Sequence, residues 1–188
     1  EEGVSITNIS DYTGHPEILE GRVKSLHPKI HGGILARTDR EDDNKNLAEN
    51  GISPIEFVVV NLYPFIDKIK EAKAKSNPNE ESLVEFIDIG GPTMIRAAAK
   101  NWRFVVPVCD PSDYDLILSE LKEKGSVSEA LRKKLAAKVY QTMAAYDAQV
   151  ARYFSCEEEI VDAEGNEHEL APVEGLALKK VCDLRYGE

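Results

Sequence analysis

Apolar residues recur along the chain in two rhythms. Three short runs, Val4–Ile9, Phe57–Tyr63 and Phe104–Cys109, are rich in β-branched or aromatic residues and read as strands. The last two are apolar at nearly every position, which suits strands buried on both faces, as in a parallel sheet covered by helices. Elsewhere the spacing is helical. Asp42–Asn50 predicts a short polar helix, and Ser82–Phe86 opens with a capping box of Ser82 and Glu85. Pro92–Lys100 places proline in a first helical turn and continues through Ala97, Ala98 and Ala99. Asp110-Pro111-Ser112-Asp113 opens a helix running through Leu116 and Leu118. Ser128–Phe154 sets Leu131, Leu135, Val139, Met143 and Tyr146 on one core-facing stripe. From Glu157 to Glu169 the chain turns acidic, with Gly165-Asn166 as a hairpin turn. Strand and helix alternate, so the class is α/β. Ligands of such sheets sit beyond the carboxyl ends of the strands, which makes Asn61, Tyr63 and Asp110 candidates to face one.

A length of 188 residues fits one globular domain with an appendage, here residues 1–155 followed by an acidic hairpin and linker over 156–188. The apolar runs are far too short to span a bilayer, and Glu1-Glu2-Gly3 has no feature of a signal peptide. Cys109, Cys156 and Cys182 are scattered, with no CxxC pair, which argues against a disulfide framework or a structural zinc. The expected location is cytoplasmic. A net charge of −11 disfavours nucleic acid and anionic membrane as partners. Local charge runs the other way: between Gly21 and Arg37 the cations Arg22, Lys24, Lys29 and Arg37 have no carboxylate among them. That stretch reads either as a solvated face or as a site for an anionic small molecule.

Three constellations have chemical potential. In Gly21-Arg22-Val23-Lys24-Ser25-Leu26-His27-Pro28, Arg22 and Lys24 are two apart and share a face if the segment is extended. That arrangement suits a phosphate or a developing oxyanion; ordinary surface salt bridges are the alternative. His27 and His31 lack further metal-site ligands, and structural hydrogen bonds are the expected use of both. In Asp88-Ile89-Gly90-Gly91-Pro92, two glycines before a helix leave its first N–H groups open to a ligand, where the helix dipole favours negative charge. Arg96 and Lys100 then lie on one face of that helix. A carboxylate, a helix N-terminus and a lysine serve proton transfer and oxyanion stabilisation; a capped loop and a surface lysine are the other reading. Asn61 and Tyr63, two apart at a strand end, suit reading an amide edge and stacking, unless Tyr63 is simply half-buried at the sheet rim.

At these segments the sequence closely resembles the inosine monophosphate (IMP) cyclohydrolase family, the amino-terminal part of bifunctional purine-biosynthesis proteins whose second domain is a formyltransferase. The resemblance runs from Ile9-Ser10-Asp11-Tyr12-Thr13-Gly14-His15-Pro16-Glu17 to about Phe154. It includes the segment from Gly21 to Arg37, Asn61-Leu62-Tyr63-Pro64-Phe65, Ile87-Asp88-Ile89-Gly90-Gly91-Pro92-Thr93, and Arg96 to Asn101. It implies a three-layer sandwich with a mainly parallel sheet, like that of methylglyoxal synthase. It implies that Arg22, Val23, Lys24, Ser25, Asn61, Asp88, Ile89 and Gly90 contact the nucleotide. Lys24, Tyr63, Asp88 and Lys100 would carry the chemistry, with Lys100 as the main proton-transfer group. It further implies a homodimer, and a formyltransferase domain on the same full-length polypeptide.

The implied reaction closes a ring and expels water, so it needs no cofactor and no metal. A carboxamide nitrogen attacks a neighbouring formamide carbon, and positioning within one substrate supplies much of the acceleration. Relative to the family, the chain starts after an expected stretch of two strands with phosphate-binding loops. Asp183-Leu184-Arg185-Tyr186-Gly187-Glu188 resembles the entrance to the formyltransferase domain. Two rivals share the expected fold. One is a regulatory ligand-binding module, in which Asp88 and Lys100 would be idle. The other is methylglyoxal synthase itself, which has no base for Asn61 and Tyr63 to read.

Overall fold

The computed structural model describes residues 3–62 and 83–155, together with positions 65, 68, 69, 71, 160, 161, 167, 168 and 175. The chain divides into two compact units, Glu1–Tyr140 and Gln141–Glu188.

In the first unit the order is α1 (Ile9–Thr13), a tight turn over Leu19–Gly21, α2 (Pro28–Leu35), α3 (Glu41–Glu49) and β1 (Phe57–Val59). There follow α4 (Gly90–Lys100), β2 (Val106–Val108), a 3-10 turn (Pro111–Asp113), α5 (Tyr114–Lys124) and α6 (Glu129–Ser155), which continues into the second unit. β1 and β2 pair in parallel, with Phe57 opposite Val106, Val58 opposite Pro107 and Val59 opposite Val108. The Val60 N–H extends the ladder to the Val108 carbonyl at 2.9 Å. α4 packs on both strands and α2 packs on α4. Val106 and Val108 join Ile117 of α5 and Leu131 and Leu135 of α6 in a buried cluster. This is the small parallel sheet with helices expected of a methylglyoxal-synthase-like α/β fold.

Two strand expectations need correction. Residues 4–8 form no strand; Val4 is 75% and Ile6 83% exposed, and Ile9 already opens α1. A strand exists only through a partner's hydrogen bonds, and among the described residues none pairs with this run. β2 is buried at every position as predicted, but β1 is not. Val58 is buried while Phe57 and Val59 are exposed. A central, two-sided burial was read from apolarity alone, which cannot distinguish it from a half-covered strand.

The helices follow their signals closely. Asp110 caps the 3-10 turn by accepting from the Ser112 N–H at 2.9 Å. Ser128 Oγ accepts from the Leu131 N–H at 3.3 Å at the start of α6. Lys138 of α6 then clamps the turn, its Nζ 2.7 Å from both Asp110 Oδ2 and Asp113 Oδ2. The hydrogen bond from Lys138 holds the Asp110 carboxyl well below the usual carboxylate range. Of the expected capping box, Ser82 lies outside the described residues. In the second unit Ile160–Val161 (β3) pairs antiparallel with Glu167–His168 (β4), the hairpin expected there; its turn residues Gly165 and Asn166 lie outside the description.

Asn101, just past the last residue of α4, is 9% exposed. Its Nδ2 donates to the carbonyls of Ile34 and Ala36, both at 2.8 Å. These are end carbonyls of α2, which a helix cannot satisfy by itself, so one amide ties the ends of α2 and α4 together. Asn101→Ala strands two buried carbonyls and is expected to destabilise the chain by about 1–3 kcal/mol. A denaturant midpoint indistinguishable from wild type would show that the tie is dispensable.

Candidate functional site

The site is built where α4 begins beside the carboxyl end of β1. Asp88 stands just before α4, and its Oδ1 accepts from the Gly91 N–H at 3.0 Å. A carboxylate is favoured there because the first N–H groups of a helix are unpaired and its dipole is positive at that end. The two glycines admit close neighbours. A Cβ at Gly90 would stand 2.6 Å from Ser25 Oγ, and one at Gly91 would collide with the Asp88 carboxylate and reach Val60 Cγ1 at 3.0 Å. Ser25 is accordingly buried. Val60 leads into Asn61, an exposed residue following β1. Ser25, Asp88, Gly90 and Gly91 therefore meet at the strand end, with Asn61 adjoining and the exposed Ile89 on the rim.

The glycine turn differs from its expected open form. Gly90 and Gly91 are the first two residues of α4 rather than its approach, and the Gly91 N–H is already taken by Asp88. Pro92 becomes the third helical residue, where its missing N–H still breaks no intrahelical bond.

The Arg22–Ser25 stretch is not extended. Ile18 and Val23 form an isolated antiparallel bridge, and Arg22 has helical backbone angles. Arg22 Nε lies 3.5 Å from Glu85 Oε2, and Lys24 Nζ lies 2.8 Å from Glu17 Oε2. Arg37 binds Asp43 at 2.8 Å. The carboxylates absent from the basic segment's own sequence thus arrive from elsewhere in the fold. Nothing in the spacing of Arg22 and Lys24 announces Glu85 or Glu17. His27 is structural, its Nδ1 accepting from the Lys29 N–H at 3.1 Å to cap α2. Burial lowers the His31 pKa.

Two predicted catalytic residues do not join this cluster. Tyr63 lies outside the described residues. Lys100 is exposed in the last turn of α4, about 15 Å along the helix axis from Gly90 at 1.5 Å per residue. Because α4 runs back towards the start of β2, Lys100 sits at the opposite end of the sheet from Asn61. The structure therefore sets Ser25 and Asp88 against the same Gly90-Gly91 turn, with Lys100 at the other end of α4. A cavity of about 280 Å³ between Thr7, Tyr12, Ile30 and Ile55 contains none of the predicted site residues. No helix among the described residues is long and apolar enough to cross a membrane.

Residues 1–93 match the MGS-like domain, and residues 98–188 match the AICARFT/IMPCHase bienzyme. The chain is 38% identical to a protein of known structure titled ForH, with a TM-score of 0.63 over 81% of this chain and 77% of that one. The chain belongs to the AICARFT/IMPCHase bienzyme family. Over all 188 residues it is 50% identical to the bifunctional purine biosynthesis protein PurH of Bacillus cereus strain B4264, and 49% identical to those of Bacillus cytotoxicus and Bacillus anthracis. It spans 34% of the length of each of these curated relatives.

Proposed function

We propose that this member of the family is an IMP cyclohydrolase, closing 5-formamidoimidazole-4-carboxamide ribotide to IMP with loss of water. The observation that carries the reading is the convergence of Ser25, Asp88 and the Gly90-Gly91 turn beside Asn61, at a strand end where α/β folds bind ligands. In the reaction a bond forms from the carboxamide nitrogen to the formamide carbon, the C–O bond of the former formyl group breaks, and a C=N bond forms to the formamide nitrogen. The oxygen departs as water with one proton from each of the two nitrogens. Asp88, oriented by the Gly91 N–H, takes the amide proton. An ammonium must stabilise the oxyanion and protonate the departing hydroxyl. Lys24 is assigned that duty, because its neighbours Arg22 and Ser25 both contact the segment 85–90. Lys100, to which the resemblance gives proton transfer, is too far along α4 to share it within one chain. Asn61 reads the carboxamide edge, and Tyr63 orients the ring.

The homodimer, the cytoplasmic setting, and the role of residues 156–188 as a linker to a formyltransferase domain are further parts of this proposal, supported by the resemblance alone. The test is to mix the full-length protein with the formylated ribotide and follow ultraviolet absorbance as the second ring forms. Steady growth of the purine spectrum is expected. A full-length protein that binds IMP but leaves the spectrum unchanged would be the regulatory module instead.

A further inference from the structure

Both cations proposed to meet the nucleotide already hold a carboxylate, and in one case the backbone is contorted to provide it. Ile18 and Val23 exchange N–H···O bonds of 3.2 and 3.3 Å as an isolated antiparallel bridge, which brings the adjoining residues Glu17 and Lys24 side by side. The turn that closes it holds three successive residues at positive φ: Leu19 at 55°, Glu20 at 55° and Gly21 at 92°. Two of these bear side chains, which that region disfavours. A Cβ at Gly21 would come 2.5 Å from Glu17 Oε1, so the glycine makes room for the carboxylate. The outcome is the 2.8 Å contact between Glu17 Oε2 and Lys24 Nζ, with both side chains nearly half exposed. Glu85 reaches Arg22 from a different direction, out of the segment that leads into Asp88. Two carboxylates from separate parts of the chain thus cover two neighbouring cations.

Ion pairs this exposed add little to stability, so fold maintenance does not account for them. We infer that Glu17 and Glu85 are internal competitors for the anionic group of the ligand. They hold Lys24 and Arg22 until a nucleoside monophosphate takes their place, and they set its affinity below what the cations alone would give. The ligand class rests on the proposed function; the competition itself is a property of the two ion pairs. In a chain of net charge −11, such partners keep the cations from being occupied by any passing anion while leaving them available to a ligand that binds through other groups as well.

The test is calorimetric titration of the 188-residue chain with IMP, comparing wild type, Glu17→Gln, Glu85→Gln and the double variant. Glutamine keeps the shape and removes the charge. Each single change is expected to tighten binding roughly two- to fivefold, the scale of an exposed ion pair, with the gain shrinking at high salt. Glu17→Asp, which keeps the charge, should stay nearer wild type than Glu17→Gln. Variants that are folded by circular dichroism yet bind equally or more weakly would overturn the inference, since a merely structural carboxylate would behave that way. Inorganic phosphate, titrated in parallel, gives the same comparison if the nucleotide does not bind. Wild type that binds IMP without closing the ring would sink the cyclohydrolase reading and leave this inference to be decided by the titration.

Discussion

Lys24→Met is expected to lower the turnover of ring closure at least roughly a hundredfold, the usual scale for a lost acid–base group, and to raise the Michaelis constant as well. Methionine keeps most of the stem and removes the charge and the proton. Both parameters should move because Lys24 is proposed to touch the ligand in the ground state and the oxyanion in the transition state. Arg22→Ala separates the two contributions: it should raise the Michaelis constant with turnover nearly intact, and the loss should shrink as salt rises. Lys100→Met is the decisive companion. The resemblance assigns Lys100 the main proton transfer, whereas its position at the far end of α4 gives it a simpler use, a cation complementing the helix dipole. A silent Lys24→Met beside a crippled Lys100→Met would reverse the assignment.

The sequence revealed most where function depends on local order, and least where distant segments meet. The starts of the 3-10 turn before α5 and of α6 were legible because the caps lie within three residues of what they bind, as with Asp110 on Ser112 and Ser128 on Leu131. β2 was legible because its apolar run is buried on both faces; β1 carries a similar run but leaves Phe57 and Val59 exposed. Burial depends on what covers a strand, and a strand's own residues do not record it. Asp88 before the double glycine was recognisable as a helix-start carboxylate, but its occupation of the Gly91 N–H was not. The basic segment looked unpaired because Glu17, Glu85 and Asp43 all lie outside it. Asn101 passed unread for the same reason: its two acceptors are more than sixty residues away, and only burial turns that amide into a tie between helices.

Gly91→Ala should separate fold from function more sharply than any charged substitution. Alanine is a better helix former than glycine, and Gly91, in the first turn of α4, is not among the glycines with positive φ. The backbone therefore accepts the change, and the helix alone would gain from it. The added Cβ, however, would collide with the Asp88 carboxylate and stand 3.0 Å from Val60 Cγ1. Val60 is held by the β1–β2 ladder through its N–H, so the carboxylate is the group that yields. Asp88 must swing off the Gly91 N–H, losing that hydrogen bond. A displacement on the order of 1 Å in a catalytic group costs about a hundredfold in rate. The expected result is a chain whose unfolding midpoint stays near wild type while ring closure falls by about that factor. Gly90→Ala provides the internal comparison. Its Cβ meets only Ser25 Oγ at 2.6 Å, a single hydroxyl that can change rotamer, so its penalty should be several-fold smaller. Paired kinetics and thermal melts of the two variants check this. A Gly91→Ala chain that closes the ring at the wild-type rate would mean that the position of Asp88 beside α4 does not matter to the chemistry.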